Sequence, residues 1–309
     1  MATPDLTAAA TRAPTRPSAV GRSRMPFRRW FREIGWRHIV LIIGVLVSLY
    51  PVVWIVSAAF NPIDNLQTAQ LIPDGVTIDN FVDLFGDSRY PVGNWIVASW
   101  TVALIASTMN VGLAALAAFA FSRLRFHGRR AGLLSLLLVQ VFPQFLGFVA
   151  LFILGQQIGE VIPALGLGTH LYLIMVYTGG AIGFNAFLIK GFMDTIPASL
   201  DESAEVDGAS PLQIFLHVVL PLTRPALAVI FVLSFVSLFA EVILATFLIR
   251  DVDRYTLAVG LNLFVQSEYA AKWGQLTAAA LIGAFPIVLT FLIAQKQIIG
   301  GLTQGAVKG

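Results

Sequence analysis

Six apolar stretches, each long enough to cross a bilayer, constrain this chain more than any other feature. They fall at 38–60, 95–121, 131–155, 170–190, 225–249 and 276–295. A spanning helix needs about 20 mainly apolar residues, because the hydrocarbon core is about 30 Å thick. Inside it the backbone must satisfy its own hydrogen bonds, which a helix does. The expectation is an all-α integral membrane protein with six transmembrane helices. Composition agrees, with 57% hydrophobic and only 12% charged residues, against about 25% charged in ordinary globular domains. There is no cysteine, so neither a disulfide framework nor a Cys-ligated metal site is available.

The charges between the spans set the orientation. The first 37 residues hold eight arginines, and the stretch 122–130, "SRLRFHGRR", holds four. With Lys190, Arg224, Lys296 and Lys308, one side carries sixteen of the twenty basic residues, and the other carries only Arg89, Arg250, Arg254 and Lys272. Positive charge stays cytoplasmic, so both termini are expected in the cytoplasm, in a multi-pass cytoplasmic-membrane protein. This distribution also argues against nucleic acid as the partner of a basic chain: the charges flank the spans rather than form one patch. Residues 1–37 read as a largely disordered Arg-rich tail, amphipathic near "MPFRRWFREIGWR". A cleaved signal peptide fits poorly, since the basic region is long and no small-residue cleavage site follows the apolar segment. Residues 38–295 form the membrane domain and 296–309 a second cytoplasmic tail.

Several spans contain residues that disturb helices or carry polar groups. Pro143 lies between Gln140 and Gln144, Gly179, Gly180 and Gly183 precede Asn185, and Pro286 interrupts the sixth span. Kinks and small residues serve bundle packing as readily as they serve a moving polar pathway. Glu241 stands mid-span in "SFVSLFAEVILATFL". A charge there costs roughly 2.5–3.5 kcal/mol on insertion scales, so it should line a gate or pathway, or anchor a hydrogen-bond network. Gln140, Gln144, Asn185 and Glu241 are the candidate gate or pathway residues. The four histidines (38, 127, 170, 217) are scattered and lack metal-ligand spacing.

One connecting stretch, 197–222, has a designed look. Asp201, Glu202, Glu205 and Asp207 put four of the chain's 17 acids into seven residues. Ser199 and Glu202 stand at capping-box spacing, Gly208 is a natural helix stop, and Ser210, Pro211 and Gln213 restart a helix with a second box. Pro221 then ends that helix and Pro225 opens the fifth span. Two consecutive capping signals fix a shape: an acidic helix-turn-helix with small residues, suited to docking a cytoplasmic protein.

This stretch resembles the EAA loop, E-A-A-x-x-x-G-x9-I-x-L-P, of ABC importer permeases. Glu202, Ala204, Gly208, Leu220 and Pro221 fall on motif positions, while Ser203 and Val218 replace the usual Ala and Ile. Other stretches, among them "VFPQFLGFVALFIL", "AFLIKGFMDTIPASL" and the terminal "GGLTQGAVKG", resemble the maltose/maltodextrin permease family of MalG type. The likeness covers most of the chain from about residue 38. It implies the type I ABC importer permease fold and uptake of maltose/maltodextrin-type oligosaccharides by alternating access. Trehalose or another oligosaccharide is the nearest alternative.

The resemblance also implies partners: a second, homologous permease (MalF-type), a MalK-type ATPase dimer and an extracytoplasmic sugar-binding protein. The sequence has no G-x-x-x-x-G-K-[ST] phosphate loop. The chain is therefore expected to be no enzyme and to hold no cofactor, with ATP and Mg bound by the partner ATPase. Gln266, Ser267, Glu268, Tyr269 and Trp273, in the last outer loop, would probe the binding protein, although Tyr269 and Trp273 also fit an interfacial aromatic belt. The C-terminal tail would reach between the ATPases. From another class, an ion-coupled secondary transporter needs ionisable groups on broken helices near midplane. Glu241 alone is available for that, and the capped loop would be left without a purpose.

Overall fold

The computed structural model describes residues 27–62, 72–265 and 272–306. The chain divides into two units, Met1–Pro51 and Val52–Gly309. Within the described residues of the first, a short helix α1 (Phe27–Trp30) and a π turn (Phe31–Gly35) lead into α2 (Trp36–Ala59). Most of the apolar side chains between Ile39 and Val53 are exposed, as a lipid-facing helix requires. The part of the Arg-rich tail before Phe27 lies outside the described residues.

The second unit continues with α3 (Asp79–Gly86), α4 (Val92–Arg123), α5 (Arg129–Val141), α6 (Phe148–Val161) and α7 (His170–Met193). It then runs through α8 (Ser199–Val206), α9 (Pro211–Ile214), α10 (Leu220–Phe239), α11 (Ile243–Leu248), α12 (Leu257–Val265) and α13 (Trp273–Ala306). No strand occurs among the described residues. Among the described residues, five stretches are long and apolar enough to cross a membrane: Phe31–Ala59, Val92–Arg123, Gln144–Val161, Pro211–Phe239 and Trp273–Gln297. A sixth is α7, bent by 47° between Gly180 and Ile182.

Two expected spans change shape. The stretch 131–155 is not one helix: α5 stops at Val141, and Gln144–Gly147 forms a 3-10 turn before α6. Proline disfavours helical backbone in the residue before it, and Phe142 is extended, with ψ 132°. The stretch 225–249 breaks at Ala240–Val242, where α10 ends before α11 begins. Pro286, in contrast, interrupts nothing, because α13 runs through it. A proline removes one backbone bond and bends a helix without having to end it.

The core is built on α4. Ala106, Asn110, Ala114 and Ala118 are fully buried, and their spacing of about one turn makes a smooth seam on which α7 lies. At one end of this seam Phe119, Met193, Ile214, Phe215 and Val219 form a cluster that includes the approach to α10. At the other end Trp95, Leu84, Phe235, Leu257 and Phe264 form a second. The two ends are called below the α8 end and the α12 end.

Candidate coupling and gating sites

Helix α8 starts for a different reason than its sequence suggests. Ser199 does not cap it; the N-cap is Ala198, with no side-chain cap. Pro197 begins the turn, and Leu200 N–H reaches the Pro197 carbonyl at 3.3 Å while Asp201 and Glu202 N–H both reach that of Ala198 at 3.0 Å. The Ser199 hydroxyl is therefore not needed. The stop is as expected. Gly208 has φ +84°, Ala209 N–H closes onto Ala204 O and Gly208 N–H onto Glu205 O, each at 3.0 Å. This pair of bonds is the Schellman arrangement. The second capping box also forms: Ser210 N–H donates to Gln213 Oε1 at 2.8 Å and Gln213 N–H to Ser210 Oγ at 3.4 Å.

The second limb, however, does not end at Pro221. Helix runs unbroken from Pro211 to Phe239, with a π turn at Phe215–Val219. Pro221 has no N–H to give, and the wider turn shifts the ladder just before it, so that Leu220 N–H bonds five residues back to Phe215 O. Leu220 packs against the α8-end cluster and Pro221 is half-buried. The second limb is thus continuous with α10, and Glu202, Ser203 and Gly208 remain exposed on the loop.

A network of charges ties α8 to the ends of α4 and α7. Arg123 Nε lies 2.7 Å from Asp201 Oδ2, with both side chains largely buried, and its Nη2 donates to Ile196 O at 2.9 Å. Arg129 donates to the Phe121 and Ser122 carbonyls at 2.7 and 2.9 Å, closing the last turn of α4. Asp194 accepts from Ser122 Oγ at 2.7 Å and from Lys190 Nζ at 2.5 Å. Partial burial raises the Asp194 pKa, but the bonds from Lys190 and Ser122 and the charges of Lys190 and Arg129 outweigh it, so the net shift is downward. Beside this network opens a cleft of about 500 Å³, lined by Arg123, Arg125 and Arg129 on one side and Asp201, Glu202 and Glu205 on the other. Asp201 Oδ1 is buried there without a hydrogen bond.

Of the four candidate pathway residues, three are tied to named partners and no hydrogen bond joins them to one another among the described residues. Glu241 sits in the break between α10 and α11. Its carboxylate accepts from Tyr177 Oη at 2.5 Å, from Leu244 N–H at 2.7 Å and from Ala245 N–H at 2.9 Å. This is the anchor geometry: a side chain satisfying the first donors of α11. Asn185 Nδ2 donates to Asn110 Oδ1 at 2.5 Å and Ser234 Oγ at 3.2 Å, and Asn110 donates to Thr178 O at 3.1 Å. Asn185 therefore bridges α4, α7 and α10. Gln140 Nε2 donates to Gly180 O at 2.9 Å, entering the backbone ladder of α7 at its bend. Gln144 is exposed on the 3-10 turn.

Reading the sequence did not reveal the partners. Arg123 stands 78 residues from Asp201 and Tyr177 lies 64 residues from Glu241, so no local pattern pairs them. A tyrosine on a glycine-bearing span was the only sign available.

At the α12 end the described roots of the last loop are firmly held. Trp95 is fully buried and donates through Nε1 to Val252 O at 2.6 Å. Its ring lies where a Cβ on Gly260 would come within 2.2 Å, so only glycine lets α12 cross there. Leu257 N–H donates to Ser99 Oγ at 2.7 Å. Lys272 Nζ reaches Asp87 at 3.2 Å and lies over the Tyr90 ring. Trp273 is the half-buried first residue of α13. Gln266, Ser267, Glu268 and Tyr269 lie outside the described residues.

Residues 110–299 match the family described as binding-protein-dependent transport system inner membrane component. The chain belongs to that family. The permease is 39% identical to the maltose/maltodextrin transport system permease protein MalG of Vibrio parahaemolyticus serotype O3:K6, over 92% of this chain and 97% of that protein. It is also 39% identical to MalG of Escherichia coli strain K12, over 88% and 95% of the two chains. Its fold matches a bacterial ABC transporter involved in the import of the acidic polysaccharide alginate, with a TM-score of 0.72 and 22% identity over 88% of this chain and 99% of that one. A second match is the bacterial alginate ABC transporter in complex with alginate pentasaccharide-bound periplasmic protein, with a TM-score of 0.62 and 18% identity over 86% and 96%. The permease is a multi-pass protein of the cytoplasmic membrane and the membrane component of a binding-protein-dependent transport system. Family membership decides against the ion-coupled alternative.

Proposed function

We propose that this permease is one of two paired membrane subunits of an ATP-driven importer for maltose/maltodextrin-type oligosaccharides. The observation that carries the substrate class is the 39% identity to a maltose/maltodextrin permease across nearly the whole of both chains. A homologous MalF-type permease is the second membrane subunit. A MalK-type ATPase dimer binds ATP and Mg and hydrolyses the nucleotide. The charge tally supports placing both termini and the α8 end in the cytoplasm.

Glu202, Ser203, Ala204 and Gly208 form the docking surface for the ATPase, and Leu220 and Pro221 connect it to α10. Because α8 is joined to α4 by Arg123 and Asp201, and continues through Ser210 into α10, a push on α8 moves two spans together. Nucleotide favours one arrangement of the ATPases, and this differential binding shifts the permease between inward-facing and outward-facing states. The breaks at Pro143 and Glu241 supply the points at which spans rearrange. Gln140, Gln144 and Asn185 are candidate polar groups on the pathway. Residues Gln266, Ser267, Glu268, Tyr269 and Trp273 meet the sugar-binding protein on the outer side, and the C-terminal tail reaches the ATPases.

Uptake by vesicles holding the complete complex, tried across a panel of di- and oligosaccharides, tests the reading. ATP-dependent uptake of maltose and maltodextrins supports it. Uptake of trehalose or another oligosaccharide alone would reassign the substrate, and uptake without the ATPase would overturn the mechanism.

A further inference from the structure

The segment just before the first span combines exposed arginines, exposed aromatic residues and a lipid-length apolar helix. Arg28, Arg29, Arg32 and Arg37 are all exposed. Glu33 accepts from Arg29 at 2.9 Å, which leaves Arg28, Arg32 and Arg37 without a carboxylate partner among the described ion pairs. Phe31 and Trp36 are 43% and 51% exposed, and the Arg37 guanidinium lies 5.9 Å from the Trp36 ring. Upstream, the sequence adds Arg12, Arg16, Arg22 and Arg24 against the single acid Asp5.

Dimensions place these groups at a bilayer surface. From Ile39 to the end of α2 the helix is about 31 Å long, which matches the hydrocarbon core of about 30 Å. Arg37 then stands at the edge of that core, with Arg32 and Arg28 about 10 and 17 Å from Ile39 along the axis. Long arginine stems reach back toward the surface, and an aromatic residue at the boundary suits the interface. A soluble acidic partner would match the charge, but it would not explain why the charges and aromatics abut the lipid-facing helix.

We propose that residues 27–37 form a binding site for anionic phospholipid headgroups, with Arg28, Arg32 and Arg37 holding phosphodiester groups while Phe31 and Trp36 seat at the interface. The leaflet is the one from which α2 enters, which the distribution of positive charge makes the cytoplasmic one. Bilayer anchoring through a juxtamembrane basic cluster is electrostatic, so it weakens with salt.

The chain has no cysteine, so a fluorophore on Ile39→Cys reports on this segment alone. The labelled full chain is reconstituted in phosphatidylcholine vesicles, and spin-labelled phosphatidylglycerol or phosphatidylcholine is added as quencher. Phosphatidylglycerol should quench at lower mole fraction, and the preference should fall up to about fivefold for each arginine removed. The Arg28→Gln, Arg32→Gln, Arg37→Gln triple variant should lose it, and the same triple to Lys should keep it. Equal quenching by the two lipids, an unchanged preference in the Gln variant, or a preference insensitive to salt would overturn the proposal. If the Gln variant does not insert, the salt titration of the unsubstituted chain decides. Shielding of the label by added nucleic acid or an acidic protein, with no lipid preference, would assign the arginines to another polyanion.

Discussion

Arg123, the last residue of α4, and Asp201, in the first turn of α8, meet at 2.7 Å with side chains only 14% and 12% exposed. The contact joins a span to the hairpin that continues into another. Removing one partner of a buried pair leaves an uncompensated charge, at a cost of about 3–5 kcal/mol, whereas replacing both by apolar groups is often neutral. Asp201→Leu and Arg123→Leu should therefore each lower the melting temperature of the purified chain, and the double variant should recover much of the loss. If the two losses simply add, the residues are not energetically coupled. Sugar uptake should stay low in the double variant even so, because the mechanical tie is gone.

Gly208 holds φ +84° with open space around it. The cost of substitution is therefore the backbone cost alone, about 1–2 kcal/mol for a residue with Cβ. Asn, which tolerates left-handed backbone, should be the mildest replacement, Ala intermediate and Val worst. Co-purification of the ATPase reads the series, and equal yields across it would show that the turn does not shape the docking surface.

What the sequence made legible and what it hid divide along one physical line. Spans announce themselves through apolar length, and Gly208 and the Ser210–Gln213 box announce themselves through local backbone chemistry. Each depends on residues within a few positions. The tie between Arg123 and Asp201, and the bonds from Tyr177 to Glu241, depend on how α4, α7 and α10 pack, which no local pattern encodes. Ser199 misled for the same reason in miniature: its spacing to Glu202 is right, yet Pro197 had already started the turn. The third and fifth spans looked continuous because hydropathy does not register a break of a few residues.

Glu241 supplies an acceptor to two N–H groups of α11 and to the Tyr177 hydroxyl. A buried donor left without a partner costs about 1–3 kcal/mol. Glu241→Ala should therefore be the least stable variant, with Tyr177→Phe and Glu241→Gln milder, the first losing one bond and the second keeping one carbonyl oxygen. Thermal unfolding in detergent measures the order. A Glu241→Ala chain as stable as the parent would remove the anchor reading. Lost uptake in a stable Glu241→Gln chain would point to a part in the pathway.

Asp87 secures the α12 end against acid. The hydrogen bond from the Arg89 side chain is the main cause holding its carboxyl well below its ordinary value; burial opposes this, and bonds from the Arg89 backbone N–H and from Lys272 add to it. A depressed pKa contributes stability above the unfolded value of 3.8, and that contribution fades only as pH falls through the lower folded value. Between pH 7 and 5 the group stays ionised. Hydrogen exchange in the last turn of α3 and the first turn of α13, corrected for intrinsic rates, should be unchanged over that range. Asp87→Asn should speed exchange at both. Faster exchange in the unsubstituted protein at pH 5 would contradict the assignment.

The bend of α7 offers a contrast between neighbouring glycines. A Cβ on Gly183 would come 3.1 Å from Leu136 O, 3.3 Å from Leu136 Cβ and 3.4 Å from Gln140 Nε2. The oxygen belongs to the backbone of α5, so α5 and α7 must separate by a few tenths of an ångström to make room. Gly179 has nothing within 4 Å, and an alanine there should gain helix stability by up to about 1 kcal/mol. Gly179→Ala should therefore assemble normally and unfold at a slightly higher temperature. Gly183→Ala should unfold lower and lose uptake, since pushing α5 away also stretches the 2.9 Å bond from Gln140 to Gly180 O. A Gln140→Ala chain separates the two effects. If it matches Gly183→Ala in uptake, the hydrogen bond at the bend matters. If it transports normally while Gly183→Ala does not, close packing of α5 on α7 is what the glycine provides. Should Gly179→Ala and Gly183→Ala behave alike, the contact with Leu136 is not the reason a glycine stands at that position.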